Sequence, residues 1–167
     1  SLNKQWDNLK GWWFHINEGD FNKDGKPDFV VGNFGMNSKF KPTLKKPLKI
    51  YSSDFDTNGT NDVILCKPYH GKYVPVRGRQ CSSEQLPDVE QKFETYQAFA
   101  NASIDQVIGS PINNGLNSEV TEFHSGILMS GELGFTFIPF NNLAQISPIM
   151  SSIIKDFTGD GILDILI

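Results

Sequence analysis

The sequence predicts an all-β fold of short strands and tight turns, interrupted by one helical insertion. Three observations predict it. An aspartate-rich segment occurs three times, each copy set between two apolar runs of strand length. Glycine (15), proline (9) and phenylalanine (13) are plentiful among 167 residues, a mix that favours strands joined by turns. One stretch, at about 83–109, leaves this pattern for residues that cap helices.

The three acidic segments align without gaps. They are Asp20-Phe21-Asn22-Lys23-Asp24-Gly25-Lys26-Pro27-Asp28, Asp54-Phe55-Asp56-Thr57-Asn58-Gly59-Thr60-Asn61-Asp62 and Asp156-Phe157-Thr158-Gly159-Asp160-Gly161-Ile162-Leu163-Asp164. The runs after them, Phe29-Val30-Val31, Val63-Ile64-Leu65 and Ile165-Leu166-Ile167, are β-strands by composition. Trp12 to Asn17, Leu48 to Ser52 and Ile149 to Lys155 are the strand candidates before them. The unit is therefore strand, acidic loop, strand.

The remaining elements follow in order. Lys39 to Pro47 reads as an exposed loop. Asp62–Tyr69 and Lys72–Arg79 read as a hairpin turning at His70-Gly71. Ser83 is placed to cap a helix from Glu84 to about Phe93, Thr95 one over Tyr96–Asn101, and Ser103 one over Ile104–Ile108, stopped by Gly109. Glu119 to Ser130 and Phe135 to Phe140 read as a second hairpin, with Pro139 suited to a strand end or sheet edge.

Each loop carries oxygen side chains at positions 1, 3, 5 and 9 and glycine at position 6. A chain curling around a cation aims positions 1, 3 and 5 inward, and glycine tolerates the bend. Position 7 offers a backbone carbonyl, so its side chain is free to vary: Lys26, Thr60, Ile162. Position 9 closes the shell. Hard oxygen ligands without His or Cys select calcium over zinc or copper, and magnesium demands a stricter octahedron. The expected Ca2+ ligands are Asp20, Asn22, Asp24, Lys26 and Asp28; Asp54, Asp56, Asn58, Thr60 and Asp62; and Asp156, Thr158, Asp160, Ile162 and Asp164. Thr158 is the weakest ligand of its set. Without a cation, three carboxylates so close repel one another. An EF-hand is excluded, because position 12 is Val31, Leu65 or Ile167 within a strand-like run rather than a glutamate opening a helix.

Composition bounds the rest. The formal net charge is −4 and no basic run exists, so no nucleic-acid stripe is visible. No apolar stretch is long enough to span a membrane as a helix. Cys66 and Cys81 match no zinc or redox motif; unlinked thiols are expected, with a disulfide open if the protein is secreted. His15, His70 and His124 share no motif, and no G-x-S-x-G, H-E-x-x-H or P-loop occurs. Both ends, Ser1-Leu2-Asn3 and Asp164-Ile165-Leu166-Ile167, read as cuts from a longer protein.

Strand, D-x-[DN]-x-[DN]-G-x-x-D, strand, followed by Val30-Val31-Gly32-Asn33-Phe34-Gly35, resembles the FG-GAP/VCBS repeat. The chain is especially similar to bacterial proteins in which that repeat accompanies an ASPIC/UnbV-type module. Gly32-Asn33-Phe34-Gly35-Met36-Asn37-Ser38 and Gly78-Arg79 before the helical insertion carry this likeness. Thr158 departs from the repeat pattern at position 3. The resemblance implies that residues 1–167 are a fragment of a β-propeller, about three blades' worth or fewer, with calcium bound in the loops stiffening the blade beside them. It also implies a secreted, periplasmic or cell-surface setting, a protein or glycan ligand, and self-association through open blade edges. A non-catalytic recognition or scaffold module is the expected function; the alternative is a calcium-assisted polysaccharide lyase or hydrolase on the same scaffold. Trp6, Trp12, Trp13, Tyr51 and Tyr73 are candidates for sugar stacking or, more simply, for core packing.

Overall fold

A computed structural model describes residues 8–109 and 115–167. About 34% of the described residues are strand and 17% helix, in several antiparallel sheets, none of which closes into a barrel among those residues. The all-β expectation holds in this coarser sense. The chain divides into two compact units, one formed by 1–44 with 120–167, the other by 45–119. Trp6 lies outside the described residues.

The first unit contains a four-stranded sheet of β1 (His15–Gly19), β2 (Asp28–Gly32), β7 (Gly126–Gly131) and β8 (Gly134–Pro139), in that spatial order. All neighbours are antiparallel, so the sheet is a simple meander into which the second unit is inserted between the second and third strands. A two-stranded hairpin, β9 (Ile153–Lys155) with β10 (Asp164–Leu166), packs against β1. His15 Nε2 lies 2.8 Å from Ser152 Oγ, and Asn17 Nδ2 donates to the Ser152 carbonyl at 3.0 Å. The core of this unit holds Val30, Val31, Phe123 and Ile149. Trp12 joins it through Phe34 and Phe123, at ring-centroid distances of 5.2 and 4.9 Å.

Asn33 is fully buried at the centre of this unit. Its Oδ1 accepts the N–H groups of Trp12 (3.0 Å) and Phe34 (2.8 Å), and its Nδ2 donates to the carbonyls of Glu122 (3.0 Å) and His124 (3.3 Å). A buried amide is tolerated only when its hydrogen bonds are made, and here both ends are occupied. Gly32 beside it is required by space, since a Cβ there would meet the Ile149 carbonyl oxygen at 2.1 Å.

The second unit has a sheet in the order β5 (Lys72–Pro75), β4 (Asp62–Tyr69), β3 (Leu48–Ser53), β6 (Leu116–Val120). Four short helices cover it: α1 (Arg79–Gln85), α2 (Asp88–Lys92), α3 (Tyr96–Ala100) and α4 (Ile104–Ile108). Tyr51 and Cys66 from the sheet meet Leu86, Val89, Phe99, Ala102, Ile104, Val107 and Ile108 from the helical segment in one core cluster. The insertion is therefore the other half of this unit's core. No described helix is long and apolar enough to cross a membrane.

Several sequence expectations need correction. Ser83 caps nothing; it sits inside α1, which starts at Arg79 behind Gly78. Pro87 divides the expected 84–93 helix, because the residue before a proline is driven out of the helical region, and Leu86 is extended at φ −125°, ψ 90°. Thr95 and Ser103 do cap, the latter with a reciprocal bond from Gln106. The single strand expected over Glu119–Ser130 is two, β6 in the second unit and β7 in the first; Thr121, Phe123 and Ser125 between them turn into packed positions. The first and third leading strands start later than expected, at His15 and Ile153, and β5 ends at Pro75. The His70-Gly71 turn holds, with both residues at positive φ (46° and 79°), as a two-residue hairpin requires.

Cys66 and Cys81 are free thiols, Cys66 fully buried and Cys81 exposed. Burial pushes the Cys66 thiol up to about 12 and the Tyr51 phenol up to about 12. An unfolded thiol ionises near pH ~8.5 and an unfolded phenol near ~10. Above those values the open chain releases protons that the folded unit keeps. The stability held by these neutral groups is thus complete below about pH 8 and falls as pH rises toward 12, by about 1.4 kcal/mol per pH unit and group. Urea midpoints at pH 8 and pH 10.5 are expected to show that fall, with a shallower slope in Cys66→Ala.

Candidate metal centres

The three acidic loops join β1 to β2, β3 to β4 and β9 to β10. In each, the residue before position 1 pairs with the aspartate at position 9: Gly19 with Asp28, Ser53 with Asp62, Lys155 with Asp164. Position 9 therefore opens the second strand of its hairpin and is anchored by the ladder.

The same hydrogen bonds shape all three loops. The position-9 carboxylate accepts the N–H of the position-2 phenylalanine: Asp28 from Phe21 at 2.9 Å, Asp62 from Phe55 at 3.1 Å, Asp164 from Phe157 at 2.9 Å. The position-1 carboxylate accepts the N–H of the position-6 glycine: Asp20 from Gly25 at 3.0 Å, Asp54 from Gly59 at 2.8 Å, Asp156 from Gly161 at 2.8 Å. The position-5 oxygen accepts the N–H of position 7: Asp24 from Lys26 at 2.9 Å, Asn58 from Thr60 at 2.8 Å, Asp160 from Ile162 at 2.8 Å. These bonds turn positions 1, 5 and 9 toward their own loop. A carboxylate oxygen accepts more than one partner, so a bonded oxygen keeps a lone pair for a cation.

This cage shifts two of the carboxyls. Burial alone pushes Asp28 up, but the N–H groups of Ser130 and Phe21 outweigh it and hold the carboxyl below its ordinary value. The Ser130 contact, 2.7 Å to Asp28 Oδ1, ties the first loop to β7. Asp156 is likewise held low, chiefly by the Gly161 N–H, which with the Gly159 and Asp160 N–H groups outweighs the opposing effect of desolvation. Both are anionic at neutral pH, as a hard-cation ligand must be.

Positive φ falls at two positions of each loop. Position 6 is the expected glycine, at 80°, 87° and 79° for Gly25, Gly59 and Gly161. Position 4 is also left-handed: Lys23 at 58°, Thr57 at 61° and Gly159 at 77°. A β-branched residue is strained there. Thr57→Gly is therefore expected to raise the stability of the second unit by about 1 kcal/mol, read as a shift in the urea midpoint at constant slope.

The loops differ in how far their acids gather. Asp54, Asp56 and Asp62 place carboxylate oxygens within 4.8 Å of one another, the one such group among the described residues. That donor set suits a hard divalent ion, and Asn58, whose Nδ2 donates to Asp56 Oδ2 at 2.9 Å, stands beside it. In the first loop position 3 is Asn22, whose Oδ1 accepts the Asp24 N–H at 3.0 Å as Asp56 Oδ1 accepts that of Asn58 at 3.2 Å. An amide oxygen there replaces a carboxylate in an otherwise equivalent set. In the third loop Thr158 is exposed, its Oγ1 3.5 Å from Asp156 Oδ1. A Cβ on Gly161 would lie 3.9 Å from Lys23 Nζ, so the ammonium of the first loop stands beside the third.

The other sequence candidates separate cleanly. Tyr51 is core, Tyr73 lies under the Lys49 ammonium (4.5 Å to the ring centroid), and Trp13 is half-exposed against Phe137. One pairing escaped the sequence reading. His124 Nδ1 lies 2.6 Å from Glu122 Oε1, on a cleft of about 440 Å³ that Lys41 also lines. Its residues are two apart with no motif to flag them. No family model matches this chain, and neither a characterised protein nor a solved structure matches it.

Proposed function

We propose that this chain is part of a calcium-stiffened β-propeller that serves as a non-catalytic recognition or scaffold module, secreted, periplasmic or at the cell surface. The recurrence of one hydrogen-bonded loop geometry in three strand–loop–strand hairpins carries this reading. The same three loops hold the residues on which the resemblance to FG-GAP/VCBS repeats rests. The four-stranded antiparallel meander β1-β2-β7-β8 has the make-up of a propeller blade, and the β9–β10 hairpin packed against β1 has that of the start of a second. On this reading Ca2+ binds the folded loops and not the open chain, so it stabilises by mass action, by about 2.7 kcal/mol per site at a hundredfold excess over Kd. The melting temperature is expected to rise by several degrees in millimolar calcium and to fall with chelator. An unchanged melting temperature counts against the proposal.

The rival reading, a lyase or hydrolase on the same scaffold, has the Glu122–His124 pair in its favour. A carboxylate on Nδ1 fixes an imidazole so that Nε2 faces substrate as a base. Depolymerisation of a polyuronate that disappears in His124→Gln would replace the scaffold reading.

A further inference from the structure

A groove of about 410 Å³ crosses the second unit between the β4–β5 hairpin and helices α1 and α3. Lys67, Arg77 and Arg79 line it, with Tyr69 and Tyr96, and no acid does. In a chain of net charge −4, a groove lined by three cations and no acid, with only Arg79 paired to a carboxylate at its margin, is a local reversal of sign. Lys67 and Tyr69 stand two apart on β4, hence on one face of the sheet, opposite Val74 and Lys72. Arg77 follows β5, and Tyr96 opens α3.

The cations differ in their freedom. Arg79 is held: its Nε donates to the Phe93 carbonyl, its Nη2 to the Glu90 carbonyl at 3.1 Å, and Glu90 Oε1 lies 3.8 Å from Nη2. Its guanidinium is 5.5 Å from the centroid of the Tyr96 ring, which it steadies as a platform. Lys67 and Arg77 are exposed and have no acidic partner among the described residues. Tyr69 and Tyr96 are 47% and 65% exposed, so although Tyr69 meets the His70 ring edge-on at 4.3 Å, both phenols keep open surface toward solvent.

From this juxtaposition we infer that the groove binds an acidic oligosaccharide, its carboxylates on Lys67 and Arg77 and its sugar faces on Tyr69 and Tyr96. Two phenol rings beside paired donors suit a ring that is apolar on its face and anionic at its edge. The volume admits a ligand of two or three sugar rings. A nucleic acid would want a basic stripe continuing past the groove, and an acidic peptide offers no flat face to the tyrosines. The inference extends the recognition reading but needs no calcium, since none of these residues belongs to an acidic loop.

The test is calorimetric titration of the whole chain with trigalacturonate in chelator, beside maltotriose, an acidic Glu-rich peptide and a short oligo-dT. Trigalacturonate is expected to bind, maltotriose to bind at least about tenfold more weakly, and 0.5 M NaCl to weaken the acidic ligand as screening shortens. Lys67→Gln with Arg77→Gln is expected to cost at least about tenfold in affinity, and Tyr96→Ala several-fold, with unchanged circular dichroism because all three side chains reach solvent. Absence of trigalacturonate binding, equal binding of maltotriose, an unaffected double variant, or binding of the peptide or oligo-dT as tight as that of trigalacturonate would each overturn the inference. Because chelator is present throughout, these outcomes are independent of whether the loops hold calcium.

Discussion

Alanine at position 28 is expected to destabilise the first unit by about 2–6 kcal/mol and to remove calcium from the first loop alone. Asp28 is fully buried, and its two oxygens accept the N–H groups of Phe21 and Ser130. Truncation leaves both donors without an acceptor, at about 1–3 kcal/mol each. On the proposed calcium reading, the same change also deletes the carboxylate expected to close the ion's shell. Asp24→Ala makes an informative contrast. Asp24 is exposed, so its loss should weaken calcium at the first loop while leaving apo stability within about 1 kcal/mol. Urea unfolding in chelator separates the structural part of the Asp28 effect, and calcium titration of both variants separates the ligand part. Equal apo stabilities for the two variants would refute the anchoring role assigned to Asp28.

Asn33→Ala should be at least as damaging, by about 3–5 kcal/mol, a large share of the 5–15 kcal/mol that holds an ordinary domain together. It leaves two part-buried N–H groups and two part-buried carbonyls without their partner and opens a void at a fully buried position. Hydrogen exchange reads the consequence locally: amides of β2 and β7 should lose protection. Asn33→Asp tests the mechanism, since it keeps the acceptor for Trp12 and Phe34 but loses the donor to Glu122 and His124. It should fall between wild type and alanine only if its carboxyl is protonated, so its stability should improve toward acid pH.

The loops were legible in the sequence because their chemistry is local: ligands, bend and flanking strands lie within nine residues plus two runs of apolar side chains. Even there, the left-handed position 4 was hidden by Lys23 and Thr57, and only Gly159 hinted at it. The direct role of position 9 in the sheet was also hidden, because Ser130 is 102 residues from Asp28. The division of Glu119–Ser130 between two sheets could not be read from a run with strand propensity throughout; packing at Thr121, Phe123 and Ser125 decides it. Pro87, by contrast, was a readable signal against a helix through 84–93. Asn33 lies in a glycine-flanked stretch that reads as loop, and its burial depends on Glu122 and His124. The cationic groove draws on four elements spread over residues 67–100, and no short linear window contains it.

The central claim is most directly tested by diffraction from crystals grown with calcium, collected at a wavelength where calcium scatters anomalously. The account predicts a peak in the second loop among the oxygens of Asp54, Asp56 and Asp62, with matching peaks at Asp20–Asp28 and Asp156–Asp164. A map without density at Asp54–Asp62 in saturating calcium, where the carboxylates already converge, would contradict it.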